Sequence, residues 1–171
     1  MSDDGFRPSL DPREVPEPIR LGIAALIADC AATIDGGQLE RWPDFFTAKC
    51  VYRIISRSEF EKGRPIGFLY CDNRDMLGDR VRAMRSANVF QPHVYRHVLG
   101  APRILGQRAG AFEVETSYVV IRTAIPEGAM MVFSAGCYLD EVVLEAGAPR
   151  LRSRTVITDS DSIDMLLVLP I

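Results

Sequence analysis

The stretch from residue 111 to residue 161 decides the fold, because it contains three β-rich runs: AFEVETSYVVIRTA (111–124), MMVFSAGCYLDEVVL (130–144) and PRLRSRTVITDSD (149–161). A fourth run, VYRHVL (94–99), precedes them. Segments that carry glycine or proline separate the runs: GAPRILGQRAG, IPEG and EAGAP. Strands of similar length joined by such turns favour an antiparallel meander.

Two amphipathic segments precede these strands. In IRLGIAALIADCAATIDGG (19–37), apolar residues recur at helical spacing and two glycines follow as stop signals, which predicts a helix over 18–35. In DNRDMLGDRVRAMRSAN (72–88), Asp72 or Asn73 suits the N-cap position, and the spacing predicts a helix over 73–87.

The segment between these helices suits a short helix near Pro43, followed by a strand over Val51–Ile55. Helices that come first and long strands that follow are typical of the α+β class. A strongly curved antiparallel sheet wrapped around N-terminal helices would bury all the apolar faces in one core. We therefore expect an N-terminal arm over 1–17 and a single conical α+β domain over 18–171.

Composition narrows the class of partner. Lys and Arg total 20 and Asp and Glu total 23, so the formal net charge is −3 and no broad positive field attracts nucleic acid or acidic lipid. No apolar run approaches the ~20 residues of a membrane span, and the first 18 residues lack the apolar stretch of a secretory signal. Four isolated cysteines predict reduced, mostly buried thiols in the cytoplasm: Cys30, Cys50, Cys71 and Cys137.

His93 and His97 are the two histidines of the chain, and their spacing of four raises the question of a metal site. On a helix such a pair shares one face and one metal ion. The local composition favours a strand, on which residues four apart lie ~13 Å apart. No cysteine stands near either histidine in the arrangement that a Rieske cluster needs. The sequence therefore predicts no metal and no bound cofactor in this chain.

One catalytic arrangement survives this test. A helix-filled curved sheet can enclose a conical pocket, and an aspartate and a histidine facing into it would serve as general acid and base. The candidates are Asp35, Asp44 and His97, with Tyr52 or Tyr95 as hydrogen-bond donors. Each aspartate also has a plain structural explanation at a helix end or in water, and His97 suits a satisfied core or interface position.

The segment Tyr95-Arg96-His97 has a second interpretation as a candidate subunit interface. All but two of the basic residues are arginines, and arginine suits planar ion pairs and protein interfaces better than lysine does. Arg96 and His97 in a β-rich element beside Tyr95 fit a strand that contacts a partner and holds it in register. Solvated helix faces with i,i+3 and i,i+4 ion pairs explain the remaining arginines equally well.

Three segments carry a family resemblance. W-x-D-F-F-x-x-x-C-x-Y over 42–52 resembles the opening segment of the conical fold of nuclear transport factor two, scytalone dehydratase and ketosteroid isomerase. YCDNRDMLGDRVRAMRSANVFQPHVYRHVLGAPRILG (70–106) and RSRTVITDSDSIDMLLVLPI (152–171) resemble the small, or beta, subunit of aromatic-ring-hydroxylating dioxygenases, the terminal components of Rieske non-haem iron oxygenases. The resemblance covers roughly residues 20–171. It is closest to partners of salicylate-, anthranilate- or terephthalate-type oxygenases.

The resemblance implies a structural role in a cytoplasmic oxygenase that hydroxylates an aromatic acid during aromatic catabolism. In that family the large, or alpha, subunit carries the Rieske [2Fe-2S] cluster and a mononuclear Fe(II). A reductase or ferredoxin supplies electrons. The small subunits form a trimer within an α3β3 hexamer and hold no catalytic residue, cofactor or metal.

Two positions depart from the family pattern. Cys50 stands where many conical-fold chains have an acidic or small residue, which weakens any inherited pocket chemistry, and Gly100 replaces a frequent Ser-Asn. The alternative function is a free-standing dehydratase, isomerase or cyclase that uses Asp35 or Asp44 with His97. A third possibility is a ligand-binding protein with an apolar conical pocket.

Overall fold

The chain folds into helices packed on a curved sheet, in a computed structural model that describes residues 11, 14–65, 67–87, 92–162 and 170–171. The helices are α1 (Glu17–Asp35), a 3-10 helix (Leu39–Phe45), α2 (Arg57–Glu61) and α3 (Arg74–Ala87). The strands are β1 (Phe46–Ser56), β2 (Leu69–Cys71), β3 (His93–Leu99), β4 (Arg103–Arg108), β5 (Ala111–Ala124), β6 (Met130–Glu145) and β7 (Ala148–Thr158). The predicted α+β class is confirmed.

Both long helices lie where the sequence predicts them. The Gly36 N–H donates to the Ala32 carbonyl over 2.8 Å, and Gly37 follows with φ +69°, so the two glycines end α1. At the start of α3, the Asn73 side chain accepts a hydrogen bond from the Met76 N–H over 2.9 Å, which is the expected N-cap contact. No helix in the described part of the chain is long and apolar enough to span a membrane.

The two chain ends are described only in part. Most of the predicted arm, residues 1–10 and 12–13, and residues 163–169 of the closing apolar run lie outside the described residues. Val15 is already buried in the core, just before α1 begins. The domain boundary at residue 18 stays a prediction.

The strands are ordered β2-β1-β7-β6-β5-β3, and β4 pairs with the first half of β5. The predicted meander of β5, β6 and β7 is confirmed. The sheet is mixed rather than wholly antiparallel, because β1 runs parallel to β7, with Tyr52 opposite Arg154. Local patterning carries no information on this pairing, since about a hundred residues separate the two strands in the chain.

A second difference concerns β4, which lies inside GAPRILGQRAG, a segment that the sequence predicts to be a turn. Only Ile104 and Leu105 are apolar among its six residues, so its alternation is weak. The 14-residue β5 is long enough to pair with β3 along one half and with β4 along the other. The length of this partner, rather than local propensity, makes β4 a strand.

The core contains a cluster of rings beneath α1. Trp42, Phe46 and Tyr52 meet edge to face at centroid distances of 5.0–6.0 Å, a geometry that aromatic pairs prefer. Tyr118 and Tyr138 stack at 4.5 Å with planes 6° apart. The aromatic residues of the 3-10 helix and of three strands thus join the helices to the concave face of the sheet.

A buried ion pair crosses this core. Arg154 and Asp140 lie opposite each other on β7 and β6, and the guanidinium donates two hydrogen bonds of 2.8 Å to the carboxylate. Arg154 also lies over the Tyr138 ring at 4.3 Å and donates to Cys30 Sγ on α1 over 3.6 Å. The pair therefore connects the central strands to α1.

The four cysteines are free thiols, three of them buried and Cys137 half-buried. Burial raises the pKa of each thiol, and that of Cys50 reaches about 11. At neutral pH they remain protonated and unreactive. The prediction of free, mostly buried thiols is confirmed.

Candidate functional site

The structure brings together two of the candidate residues, Asp35 at the end of α1 and His97 on β3. The His97 Nδ1 lies 2.6 Å from Asp35 Oδ1, and the His97 backbone N–H donates to Asp35 Oδ2 over 2.9 Å. The Asp35 side chain is 7% exposed and the His97 side chain is 1% exposed. Arg96 Nη1 lies 3.9 Å from the same carboxylate.

The position of Asp35 is unusual for a helix. A negative charge at a helix C-terminus opposes the macrodipole at a cost of about 0.3–1 kcal/mol, and α1 has no basic residue in its last turn. The hydrogen bonds from His97 offset this cost. β3 is the last strand in the strand order, so one of its sides is an edge of the sheet. Asp35 accepts a hydrogen bond from the His97 backbone N–H on that edge, and this carboxylate therefore blocks the position from pairing with another strand.

The second ring nitrogen of His97, Nε2, is buried and has no partner among the described residues. With Asp35 holding Nδ1, the buried Nε2 atom makes no hydrogen bond to a described residue, and neither does the buried Tyr95 hydroxyl. A carboxylate that orients an imidazole whose second nitrogen is free is the arrangement that a general base requires. This geometry is therefore compatible with acid–base chemistry.

The other candidates are not part of this arrangement. Asp44 is exposed on the 3-10 helix and is not among the partners of Asp35 or His97 in the described structure. The Tyr52 hydroxyl is occupied, because it donates to the main-chain oxygen of Ile171 over 2.8 Å and accepts from the Ile171 N–H over 3.2 Å. Burial raises the pKa of Tyr52, so it stays protonated. Of the two tyrosines, only Tyr95 has a hydroxyl without a hydrogen-bond partner among the described residues.

The predicted interface segment alternates across the sheet, as a strand must. Tyr95 and His97 point inward and are buried, whereas the Arg96 side chain points outward and is 74% exposed. On the surface, Arg96 is flanked by two exposed valines, Val94 and Val98.

An apolar surface surrounds Arg96 across three strands. Val98 lies opposite Val119, Arg96 opposite Ile121, and Ile121 opposite Val132. Val94, Val98, Met130 and Val132 are 47%, 53%, 74% and 64% exposed. We call this surface the outer β3 face: Val94, Arg96, Val98, Val119, Ile121, Met130 and Val132. Contiguous exposed apolar surfaces larger than a few hundred Å² typically mark interaction sites.

Metal ligands are not grouped in the part of the chain that the structure describes, where no three His, Cys, Asp or Glu side chains stand close enough to share an ion. His93 and His97 lie on one strand, as the sequence predicts. The Nδ1 of His97 is already held by Asp35. The described residues therefore do not fit a Rieske cluster or a two-histidine iron site.

Sequence reasoning missed two inward-facing arginines, Arg122 and Arg154. Alternation along the strands contains the signal. Tyr118 and Val120 face inward on β5, so Arg122 does too, and Arg154 shares the inner face of β7 with Val156. A charged residue at an apolar position of a period-2 pattern indicates a buried partner or a ligand.

Comparison with known proteins gives a family match. The model of the ring hydroxylating beta subunit family matches residues 30–165. The anthranilate 1,2-dioxygenase small subunit of Burkholderia cepacia is 38% identical over 81% of this chain and 85% of its own. The beta 1 subunit of the terminal oxygenase component of terephthalate 1,2-dioxygenase from Comamonas sp. is 38% identical over 87% of this chain and 96% of its own.

Solved structures agree with the fold. The crystal structure of the beta subunit assigned to an aromatic-ring-hydroxylating dioxygenase of Novosphingobium aromaticivorans has a TM-score of 0.83 and 37% identity, over 92% of this chain and all of that one. A protein described as a scytalone dehydratase from the same organism has a TM-score of 0.66 and 15% identity, over 87% and 89%, and shows the shared conical fold alone. The range that the family model matches, residues 30–165, covers the Asp35–His97 pair and all residues of the outer β3 face.

Proposed function

The chain belongs to the family of ring-hydroxylating beta subunits, and from this membership we propose that it is the structural small subunit of an oxygenase whose large subunit hydroxylates an aromatic acid in aromatic catabolism. The observation that carries the proposal is the 38% identity, over most of both chains, to small subunits of the anthranilate and terephthalate dioxygenases. Both names denote aromatic carboxylates.

The redox centres belong to the large subunit in this proposal. The Rieske [2Fe-2S] cluster and the mononuclear Fe(II) reside there and receive electrons from a reductase or ferredoxin. The small subunits form a trimer inside an α3β3 hexamer in the cytoplasm, a location that suits four free thiols.

We propose the outer β3 face as the contact with the large subunit. Its solvent-facing side chains combine an apolar surround with a central arginine, the composition of energetically dominant interface residues. Tyr95 and His97 pack on the inner side of this strand. His97 also fixes β3 to α1 through its hydrogen bonds with Asp35. The predicted interface segment thus acts through Arg96 directly and through its two neighbours by positioning.

Co-expression with a candidate large subunit tests the proposal. We expect a complex that co-purifies with the iron of the large subunit, measured by light scattering and metal analysis, whereas this chain alone is free of iron. A Val98→Asp variant should weaken the complex by about 2 kcal/mol, roughly 30-fold, because it places a charge within the apolar contact. Leu144→Asp, at the far end of β6 and also exposed, should leave the complex intact.

Two results would contradict this proposal. Stoichiometric iron in the isolated chain would give it a redox role of its own. Equal loss of the complex in the Val98→Asp and Leu144→Asp variants, both verified as folded, would place the contact elsewhere.

A second candidate function is favoured by the Nε2 of His97, which has no hydrogen-bond partner among the described residues and suits a free-standing dehydratase, isomerase or cyclase. A His97→Gln variant separates this function from the structural one. If the Asp35–His97 pair did acid–base chemistry, turnover would fall by about 10²–10⁴-fold while assembly and thermal midpoint stayed normal.

Under the structural role, His97→Gln should instead lower the free energy of unfolding by about 1.5–3 kcal/mol, because Asp35 loses a hydrogen-bonded partner. Turnover per iron of the assembled oxygenase should then change little. Thermal unfolding and turnover, measured on the same preparation, distinguish the two results.

A further inference from the structure

The inner face of the sheet carries an arginine, Arg122, that has no partner among the described residues. Arg122 on β5 lies directly opposite Tyr95 on β3, and both side chains project to the concave side. Arg122 Nε is buried without a hydrogen-bond partner, and the guanidinium makes no ion pair or hydrogen bond to any described residue. The residue as a whole is half-buried.

Tyr95 adds a second donor without a partner. Its side chain is 2% exposed, and its hydroxyl makes no hydrogen bond within the described chain. Burial raises the pKa of this hydroxyl although the nearby charge of Arg122 lowers it, so it stays a protonated donor. A buried hydroxyl and a buried guanidinium nitrogen left unpaired each cost free energy that a bound acceptor would recover.

We propose that Arg122 and Tyr95 form an interior binding site for the carboxylate of a small aromatic acid. The planar guanidinium fork matches a carboxylate, and the phenol donates a further hydrogen bond to the same group. This inference deepens the proposed function, because it rests on that function for the choice of an aromatic acid.

Neighbouring rings favour an aromatic acid over an aliphatic one. Phe133 stacks on Tyr95 at a centroid distance of 5.0 Å with planes 29° apart. The centroid of the His93 ring, also on β3, lies 5.0 Å from that of the Tyr95 ring. Asp35, the carboxylate that contacts β3, is engaged by His97 and Arg96. A ligand with one negative charge and a flat apolar body would pair with the Arg122 guanidinium and pack against these rings.

Titration of the full-length chain with benzoate tests the site, by calorimetry and by the shift of the thermal midpoint. We expect saturable binding of benzoate and none of benzamide, which has the same shape without the charge. Arg122→Gln should weaken benzoate at least about 10-fold and Tyr95→Phe several-fold, since each removes a donor to a charged acceptor. Arg82→Gln, which removes an exposed charge on α3, should bind benzoate as the parent does.

The variants remain informative because the Arg122 guanidinium has no partner to lose among the described residues, and circular dichroism is used to verify that each variant folds. The inference is overturned if the parent chain shows no saturable binding at millimolar benzoate. It is equally overturned if Arg122→Gln binds like the parent, or if benzamide competes equally. Failure here with intact assembly on the large subunit rejects the interior site alone, whereas binding without assembly rejects the structural function alone.

Discussion

Replacing Asp140 by alanine is expected to lower the free energy of unfolding by about 3–5 kcal/mol, because it leaves the guanidinium of Arg154 buried and uncompensated. Arg154 is 1% exposed and Asp140 is 2% exposed, so water cannot replace the lost carboxylate without opening the core. Single domains are stable by only about 5–15 kcal/mol. The loss should be visible in urea unfolding at neutral pH and as poor assembly with the large subunit.

Two further variants identify the cause. The double replacement Asp140→Leu with Arg154→Met should recover most of the stability, since an apolar pair of similar volume leaves no buried charge. Asp159→Ala removes the exposed ion pair with Arg57 and should cost less than about 1 kcal/mol. A cost for Asp140→Ala as small as that for Asp159→Ala would show that the buried pair does not stabilise the sheet.

Replacing Gly136 by alanine is expected to cost about 3 kcal/mol or more, because the new methyl group meets the backbone rather than a side chain that can turn away. A Cβ at this position would lie 1.9 Å from the carbonyl oxygen of Ile157 and 3.0 Å from its carbonyl carbon. Gly136 pairs with Tyr118 on one side and Thr158 on the other, in the middle of the sheet. Either β6 and β7 separate locally, or the variant fails to fold.

Gly22→Ala is the matched control, since the same substitution on α1 places Cβ 3.5 Å from Pro149, an ordinary contact. Alanine should favour the helix by up to about 1 kcal/mol at that position. Chemical unfolding of both variants, compared with the parent, measures the difference. If Gly136→Ala is as stable as Gly22→Ala, β6 and β7 leave room for a methyl group at this point, which contradicts the prediction.

The orientation of the Tyr95-Arg96-His97 segment shows how much of the site the sequence could predict. Its composition predicts a strand, and a strand places Tyr95 and His97 on one face and Arg96 on the other. The sequence did not say which face is inside. That depended on α1, because Asp35 at its end binds His97 and draws that face inward.

The inward arginines show the same division. The run of alternating residues along β5 contains Arg122 at an inward position, but its meaning depends on Tyr95 across the strand pair and on the lack of an acidic partner among the described residues. Arg154 likewise needs Asp140 on the adjacent strand. Packing sets the contacts between strands that are far apart in the chain. A local sequence pattern therefore does not show whether a buried charge is paired, as that of Arg154 is, or lacks a described partner, as that of Arg122 does.

The sequence by itself determined both long helices, their caps, the meander of β5 to β7 and the α+β class, because these follow from periods of 3.6 and 2 and from local turn chemistry. It also predicted the strand that separates His93 from His97, which the structure confirms. Only the tertiary structure decided the parallel pairing of β1 with β7, the strand state of β4 and the junction of Asp35 with His97. These depend on which faces find a partner in three dimensions, and that is a property of the packed whole rather than of any window of the chain.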